Sequence, residues 1–297
     1  MKILILSRNV KDYTQARSSV NVISLSIKNA LEKIKDVEVI TKNYTDKHLP
    51  KVDFVIVVVY IGTDSDRMDF REIKSKTGCK KIVNLRESYL KEADYNYVFN
   101  PVNKLKDSKL IKFPAPLQLL KNAQKESKTI LIDHYLEPNN TKIDWTNRIV
   151  EWVRTVKDEF RVYRMIRFSP KSGYSAKVDE VETIKDFEVP IIYAPYPEYL
   201  NITNSIETFI VTHHECYPHS VIDMVARGIR VMSPPNMIPK VMTDELGIVV
   251  FHNKQDFINK LKQQINKKNL NTLRFKLLDY DKVGLIMYED FKGWLND

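Results

Sequence analysis

Apolar positions along this chain come in two spacings. Some form unbroken runs, such as Ile3–Leu6 and Phe54–Val59, and others recur every three or four residues in longer stretches. A short continuous run rich in valine and isoleucine reads as a strand buried on both faces, and the wider spacing reads as a helix with one apolar side. On this basis Lys2–Leu6, Val37–Thr41, Asp53–Val59, Lys81–Leu85, Tyr97–Pro101 and Lys112–Pro114 are predicted strands. Helices are predicted over Ser18–Ile34, where Val22, Leu25, Ala30, Leu31 and Ile34 share a side, and around Arg71–Ser75. Strands separated by helices of this length build a parallel sheet with right-handed crossovers.

The pattern is interrupted between Pro114 and Lys128, a proline-containing segment that ends in polar residues, and then restarts. Predicted strands follow at Thr129–Asp133, Val162–Arg167, Ile191–Tyr193, Phe209–Thr212, Val231–Ser233 and Ile248–Phe251. Helices are predicted at Asp144–Val156, at Ser220–Arg227 with Ser220 as its N-cap, and at Gln255–Ile265. The last stretch, Val283–Leu295, has an aromatic helical face of Tyr288, Phe291 and Trp294. The expectation is an α/β protein of two Rossmann-like domains facing a cleft. The N-terminal domain is expected over residues 1–120 and the C-terminal domain over 128–275. Residues 276–297 are expected to form a helix that packs back on the first domain.

Composition narrows the function classes. The chain has 297 residues and a formal net charge of +9, which favours an anionic partner. No apolar run approaches the ~18 residues of a membrane span. MKILILS has no small-residue cleavage site and reads as a first strand. Cys79 and Cys216 are the two cysteines, without a metal-ligand pattern around them, which fits free thiols in a cytoplasmic protein. His213, His214 and His219 cluster with Cys216, but no further Cys/His set with ligand spacing completes a tetrahedral site, so no metal is assigned and a divalent-ion requirement stays open.

The segment that carries chemistry is THHECYPHSVIDMVARGIRVMS, from Thr212 to Ser233. A strand ends at two histidines and Glu215, a short loop follows, and a helix opens near Ser220 and stops at Gly228 before the next strand. Unpaired N–H groups at such a helix start suit a diphosphate. Asp223, one turn in, has the carboxylate chemistry that accepts ribose hydroxyls in dinucleotide folds. The two acids also suit a helix N-terminus without any ligand. Cations for donor phosphates are offered by Arg164, Arg167 and Lys171, and a hydroxyl by Ser169, in a segment that could equally be a solvated loop.

This segment resembles the E-x7-E motif of GT-B glycosyltransferases. Glu215 takes the first acidic position, Pro218 the loop proline, and Ala226, Gly228 and Val231 the closing positions. The resemblance implies a nucleotide-sugar donor, a UDP-sugar, with no other cofactor. It implies that Glu215 contacts the sugar and that the second acid holds the ribose. His214, Tyr217, His219 and Ser220 complete the expected donor set. The chain departs from the motif in having Asp223 as the second acid and Cys216 where glycine is usual. It also lacks the Gly-Gly turn and the Arg/Lys pair of that superfamily, which leaves open a GT-B-shaped binding protein without catalysis.

Three loops end strands of the first domain and are expected to meet the acceptor. They offer Arg8, Lys11 and Arg17; Asp64, Asp66 and Arg67; and Arg86 with Glu87. An inverting transferase needs a carboxylate to take the acceptor proton. Glu87 is the first candidate for that base, followed by Asp64 and Asp66. The first ~90 residues are also similar, loosely, to bacteriophage glucosyltransferases of hydroxymethylated DNA. The similarity lies in MKI and its strand, Ser18-Ser19 before a helix, Val37–Ile40 followed by Lys42-Asn43, and the acid-containing loop at Leu85–Leu90. It implies double-stranded DNA as acceptor, a phage-encoded protein in the host cytoplasm, and inversion, whereas E-x7-E implies retention. A surface polysaccharide or glycolipid is the alternative acceptor. Sugar identity and oligomeric state are left open.

Overall fold

A computed structural model describes the chain except residues 9, 17, 62, 87, 100–106, 137–144, 169–189, 193–194, 213–218, 264–271 and 297, and describes only the backbone of 134–136, 146–147, 164–168 and 190–192. The chain divides into two units, Met1–Leu119 with Leu277–Asp297, and Leu120–Lys276.

The first unit is built on a six-stranded sheet in the order β2-β1-β3-β4-β5-β6. Its strands are β1 (Lys2–Ser7), β2 (Glu38–Asn43), β3 (Phe54–Val58), β4 (Lys81–Arg86), β5 (Tyr95–Val98) and β6 (Ser108–Leu110). Every pairing is parallel. All five residues of β3 are fully buried, as the unbroken valine-rich run requires. Helix α1 (Ser19–Glu32) starts where Ser18, in extended conformation, accepts from the Asn21 N–H. Helix α2 (Phe70–Thr77) is capped by Asp69 and stopped by Gly78 at φ +65°.

The strand expected at Lys112–Pro114 does not form as one piece. Phe113 sits at φ +51°, which breaks an extended run, and the pairing falls instead at β6 and at the two-residue β7 (Pro114–Ala115). β7 pairs with β14 (Leu278–Asp279), which leads into the last helix, α8 (Tyr280–Asn296). Phe291 of α8 stacks on Phe54 of β3 with ring centroids 4.4 Å apart. A Cβ placed on Gly284 would come within 2.9 Å of the Ala30 Cβ, so these two helices meet almost backbone to backbone. Asp290 accepts from the Tyr97 hydroxyl at 2.8 Å and from Lys109 Nζ at 2.9 Å. Burial, and then the Asp290 charge, push the Tyr97 phenol far up.

The second unit repeats the plan with the order β10-β9-β8-β11-β12-β13. The strands are β8 (Thr129–Leu136), β9 (Arg161–Phe168), β10 (Pro190–Ile192), β11 (Thr208–Val211), β12 (Arg230–Ser233) and β13 (Val249–Val250), all parallel. The helices are α3 (Trp145–Arg154), α4 (Tyr196–Ile202), α5 (His219–Ala226), α6 (Lys240–Glu245) and α7 (Lys254–Lys262). The amphipathic stretch around Ile149, Trp152 and Val153 packs onto Phe251 and Phe257 in one core.

Each sheet has a point where the strand order reverses. In the first it lies between β1 and β3, with Ser7 beside Val58; in the second between β8 and β11, with Asp133 beside Val211. Open parallel sheets bind ligands outside the carboxyl ends of strands at such points. No described helix is long and apolar enough to cross a membrane.

Candidate functional site

The reversal point of the second sheet collects buried polar groups. Asp133, on β8, is 1% exposed. The Ser220 hydroxyl donates to Asp133 Oδ2 at 3.4 Å, and the Thr212 hydroxyl donates to the Asp133 carbonyl. Thr212 directly follows β11 and Ser220 lies in the first turn of α5, so one acid ties the strand end to the helix start. Ser220 is therefore not the N-cap. The helix already begins at His219, and the serine hydroxyl is spent on Asp133.

Asp223 lies on the buried side of α5, 6% exposed, and its Oδ1 accepts from the Tyr196 hydroxyl at 3.1 Å. Arg227, one turn further on, donates to the Thr203 hydroxyl and, at 3.1 Å, to Asn204 Oδ1. Burial lowers the Arg227 pKa, and the neighbouring Tyr199 and Asp223 partly restore it. Helix α5 ends because Gly228 takes φ +69°, a conformation a side chain rarely adopts, and β12 follows after one residue. Arg230, where the chain enters β12, is 7% exposed. It donates to the Lys260, Leu261 and Gln263 carbonyls at the end of α7 and to the Thr208 hydroxyl.

The glutamate of the motif, with His213, His214, Cys216, Tyr217 and Pro218, lies outside the described residues, as do Ser169 and Lys171; of Arg164 and Arg167 only the backbone is described. The described donor candidates are His219, half-buried as the first residue of α5, Ser220 and Asp223. Tyr196 and Asp133 were missed by sequence reasoning. Asp133 had a signal, an acid at the end of an apolar strand; Tyr196 had none.

The reversal point of the first sheet holds a different set. Arg8 directly follows β1, Tyr60 lies two residues past β3, and Arg86 ends β4. Asp64, 1% exposed, accepts from Arg8 Nε at 2.8 Å and Nη2 at 2.9 Å. It also accepts from the Tyr44 hydroxyl at 3.2 Å and the Tyr60 N–H at 3.3 Å. Burial pushes the Asp64 carboxyl up, but these hydrogen bonds and the Arg8 charge outweigh it and leave the pKa below the ordinary carboxylate range. Its lone pairs are thus engaged in holding Arg8, Tyr44 and the turn at Tyr60. The guanidinium carbons of Arg8 and Arg86 lie 4.7 and 5.2 Å from the Tyr60 ring centroid.

Asp66 and Arg67 are exposed on a short turn, and Lys11 is exposed with its N–H on Gln15. Arg17 and Glu87 lie outside the described residues. The loop after β4 is nevertheless pinned by two buried asparagines. Asn84 donates to the Ser88 carbonyl at 2.8 Å, and Asn96 accepts from the Leu90 N–H at 2.8 Å and donates to the Leu90 carbonyl at 3.2 Å. Among the described residues no group of three His, Cys, Asp or Glu is placed to hold a metal.

No protein-family model matches the sequence, and no curated protein does either. Solved structures do match over the whole chain. Anabaena Alr3699/HepE in complex with UDP-glucose superposes with a TM-score of 0.64 at 10% identity, covering 99% of this chain and 100% of that one. A sucrose-phosphate synthase from Thermosynechococcus elongatus gives 0.61 at 11% identity, covering 99% of each chain. A UDP-GlcNAc 2-epimerase from Methanocaldococcus jannaschii gives 0.53 at 14% identity, covering 97% of this chain and 100% of that one. The chain has the GT-B fold, with two α/β units each built on a parallel sheet.

Proposed function

We propose that this chain is a glycosyltransferase that moves a sugar from a UDP-sugar to an acceptor hydroxyl. One observation carries the reading. The spacing of Glu215, Asp223, Ala226, Gly228 and Val231 falls on the β11–α5–β12 segment, beside the reversal point of the second sheet. That is where an open parallel sheet takes a nucleotide. In this reading Glu215 meets the donor sugar, and Asp223, oriented by Tyr196, meets the ribose. The phosphates lie near the start of α5 and the cations of Arg164, Arg167 and Lys171. The Anabaena neighbour is a complex with UDP-glucose, which supports the choice of nucleotide.

On the first unit, Glu87 is the proposed base, beside a loop held by Asn84 and Asn96. Asp66 is the second choice. Asp64, with its lone pairs engaged, serves to position Arg8. The finer reading, hydroxymethylated duplex DNA as acceptor, draws on the net charge of +9. It requires duplex binding that weakens steeply with salt, and affinity independent of salt between ~50 and 200 mM would remove it.

The test of the main reading is UDP release from a panel of UDP-sugars, run with thermal-shift binding of UDP itself. Binding with UDP release that Glu215→Ala abolishes is the expected result. Interconversion of the UDP-sugar without UDP release would point to epimerase chemistry, as in the name of the Methanocaldococcus neighbour. UDP binding without any turnover would leave a binding protein, and no binding at all would end the donor reading.

A further inference from the structure

We propose that the acceptor carries an anionic group, a phosphate or a carboxylate, received by Arg8 in the field of Arg86. The inference rests on the transferase reading for the word acceptor, while the anion site itself stands on the first unit alone. Arg8 and Arg86 come from the ends of different strands, yet both guanidinium groups lie against the Tyr60 ring, at the reversal point of the sheet. The negative face of an aromatic ring attracts a cation, and the half-buried Tyr60 ring is within reach of both groups.

The hydrogen bonding of Arg8 shows which edge it offers. Nε and Nη2 are fixed on Asp64, and Nη1 takes no hydrogen bond among the described residues. The Arg8 side chain is 43% exposed, whereas that of its partner Asp64 is 2% exposed. The carboxylate therefore grips the inner edge from below and the outer edge is left toward solvent. A guanidinium oriented in this way donates to phosphate or carboxylate oxygens with little ordering cost.

Arg86 is 3% exposed, so its charge acts with little water between it and the site. It donates to the Ser19 hydroxyl at 3.5 Å, in the first turn of the 14-residue helix α1. The positive end of that helix therefore faces the same region. Arg8 offers this edge beside a second guanidinium and a helix start, and an oxyanion accepts from a guanidinium more strongly than a neutral hydroxyl does.

Calorimetric titration with inorganic phosphate, glucose 6-phosphate, glucuronate and glucose, at one fixed ionic strength, tests the proposal. Wild-type protein is expected to bind phosphate and at least one charged sugar saturably, and glucose at least tenfold more weakly than that charged sugar. Tighter binding of glucose 6-phosphate assigns a phosphate, and tighter binding of glucuronate assigns a carboxylate. Arg8→Gln should weaken the anions at least tenfold. Because that variant leaves Asp64 without its partner, Arg8→Gln/Asp64→Asn is titrated beside it, with thermal melting to verify folding. Anion affinity unchanged in the folded double variant, glucose binding as tightly as the charged sugars, or no anion binding would overturn the proposal. UDP titration in the same buffer reads the donor site separately, so its failure would sink the transferase reading and leave the anion site standing.

Discussion

Replacing Asp64 by asparagine tests whether the first unit's loops are organised by a carboxylate. The wild-type oxygen pair accepts four hydrogen bonds, two from Arg8, one from Tyr44 and one from the Tyr60 N–H. Asparagine keeps one acceptor and turns an NH2 group toward donors. Removing one partner of a fully buried ion pair costs about 3–5 kcal/mol, but Arg8 can regain water along its exposed edge, so about 2–3 kcal/mol is expected here. That corresponds to a fall in Tm of roughly 6–12 °C. The pH dependence gives a second reading. The folded Asp64 pKa is depressed, so its stabilisation is present above the unfolded value of about 3.9 and is lost as pH falls through the folded value. The stability gap between wild type and Asp64→Asn, read by urea unfolding, should be full at pH 7 and shrink below about pH 4. A gap under about 0.5 kcal/mol at pH 7, the range of ordinary surface changes, would refute the assignment. So would a gap that does not move with acid.

The remaining predictions concern packing and the donor half. Gly284→Ala should destabilise the first unit by about 1–3 kcal/mol despite alanine's better helix propensity, since its Cβ would meet Ala30, and Ala30→Gly in the same chain should restore most of the loss in chemical unfolding. Arg230→Met should cost about 2–4 kcal/mol, because the carbonyls ending α7 lose a buried charged donor; a melting point within 1–2 °C of wild type, about the ordinary surface range, would contradict this. Tyr196→Phe removes one hydrogen bond to Asp223 and should weaken UDP binding by about three- to tenfold, or about 1 kcal/mol, in titration calorimetry. Unchanged affinity would place the ribose elsewhere.

Much of the fold is legible in the sequence because parallel strands buried on both faces leave unbroken apolar runs. Phe54–Val58 and Thr208–Val211 are examples, and both are wholly buried. The interruption after Pro114 marks where the two sheets separate. The short pairings of β7 and β14 were not legible: two-residue strands leave no periodic signal, and the positive φ at Phe113 has no glycine to announce it. At the site, motif spacing located α5 and its stop at Gly228. It did not reveal that Ser220 turns to Asp133 or that Asp223 is held by Tyr196, because both contacts join residues distant along the chain. The same holds for Asp64, whose partners Arg8 and Tyr44 lie on other loops. As a lone loop acid it reads as a base; in the fold it is the anchor of an arginine.

The central claim is that the β11–α5–β12 segment takes the nucleotide of the donor. Amide hydrogen exchange with and without saturating UDP measures this directly. Protection concentrated in peptides spanning Thr208 to Ser233, and lost in Asp223→Ala together with UDP binding, is the predicted result. Protection confined to the first unit, or none at UDP concentrations that saturate binding, would contradict the account.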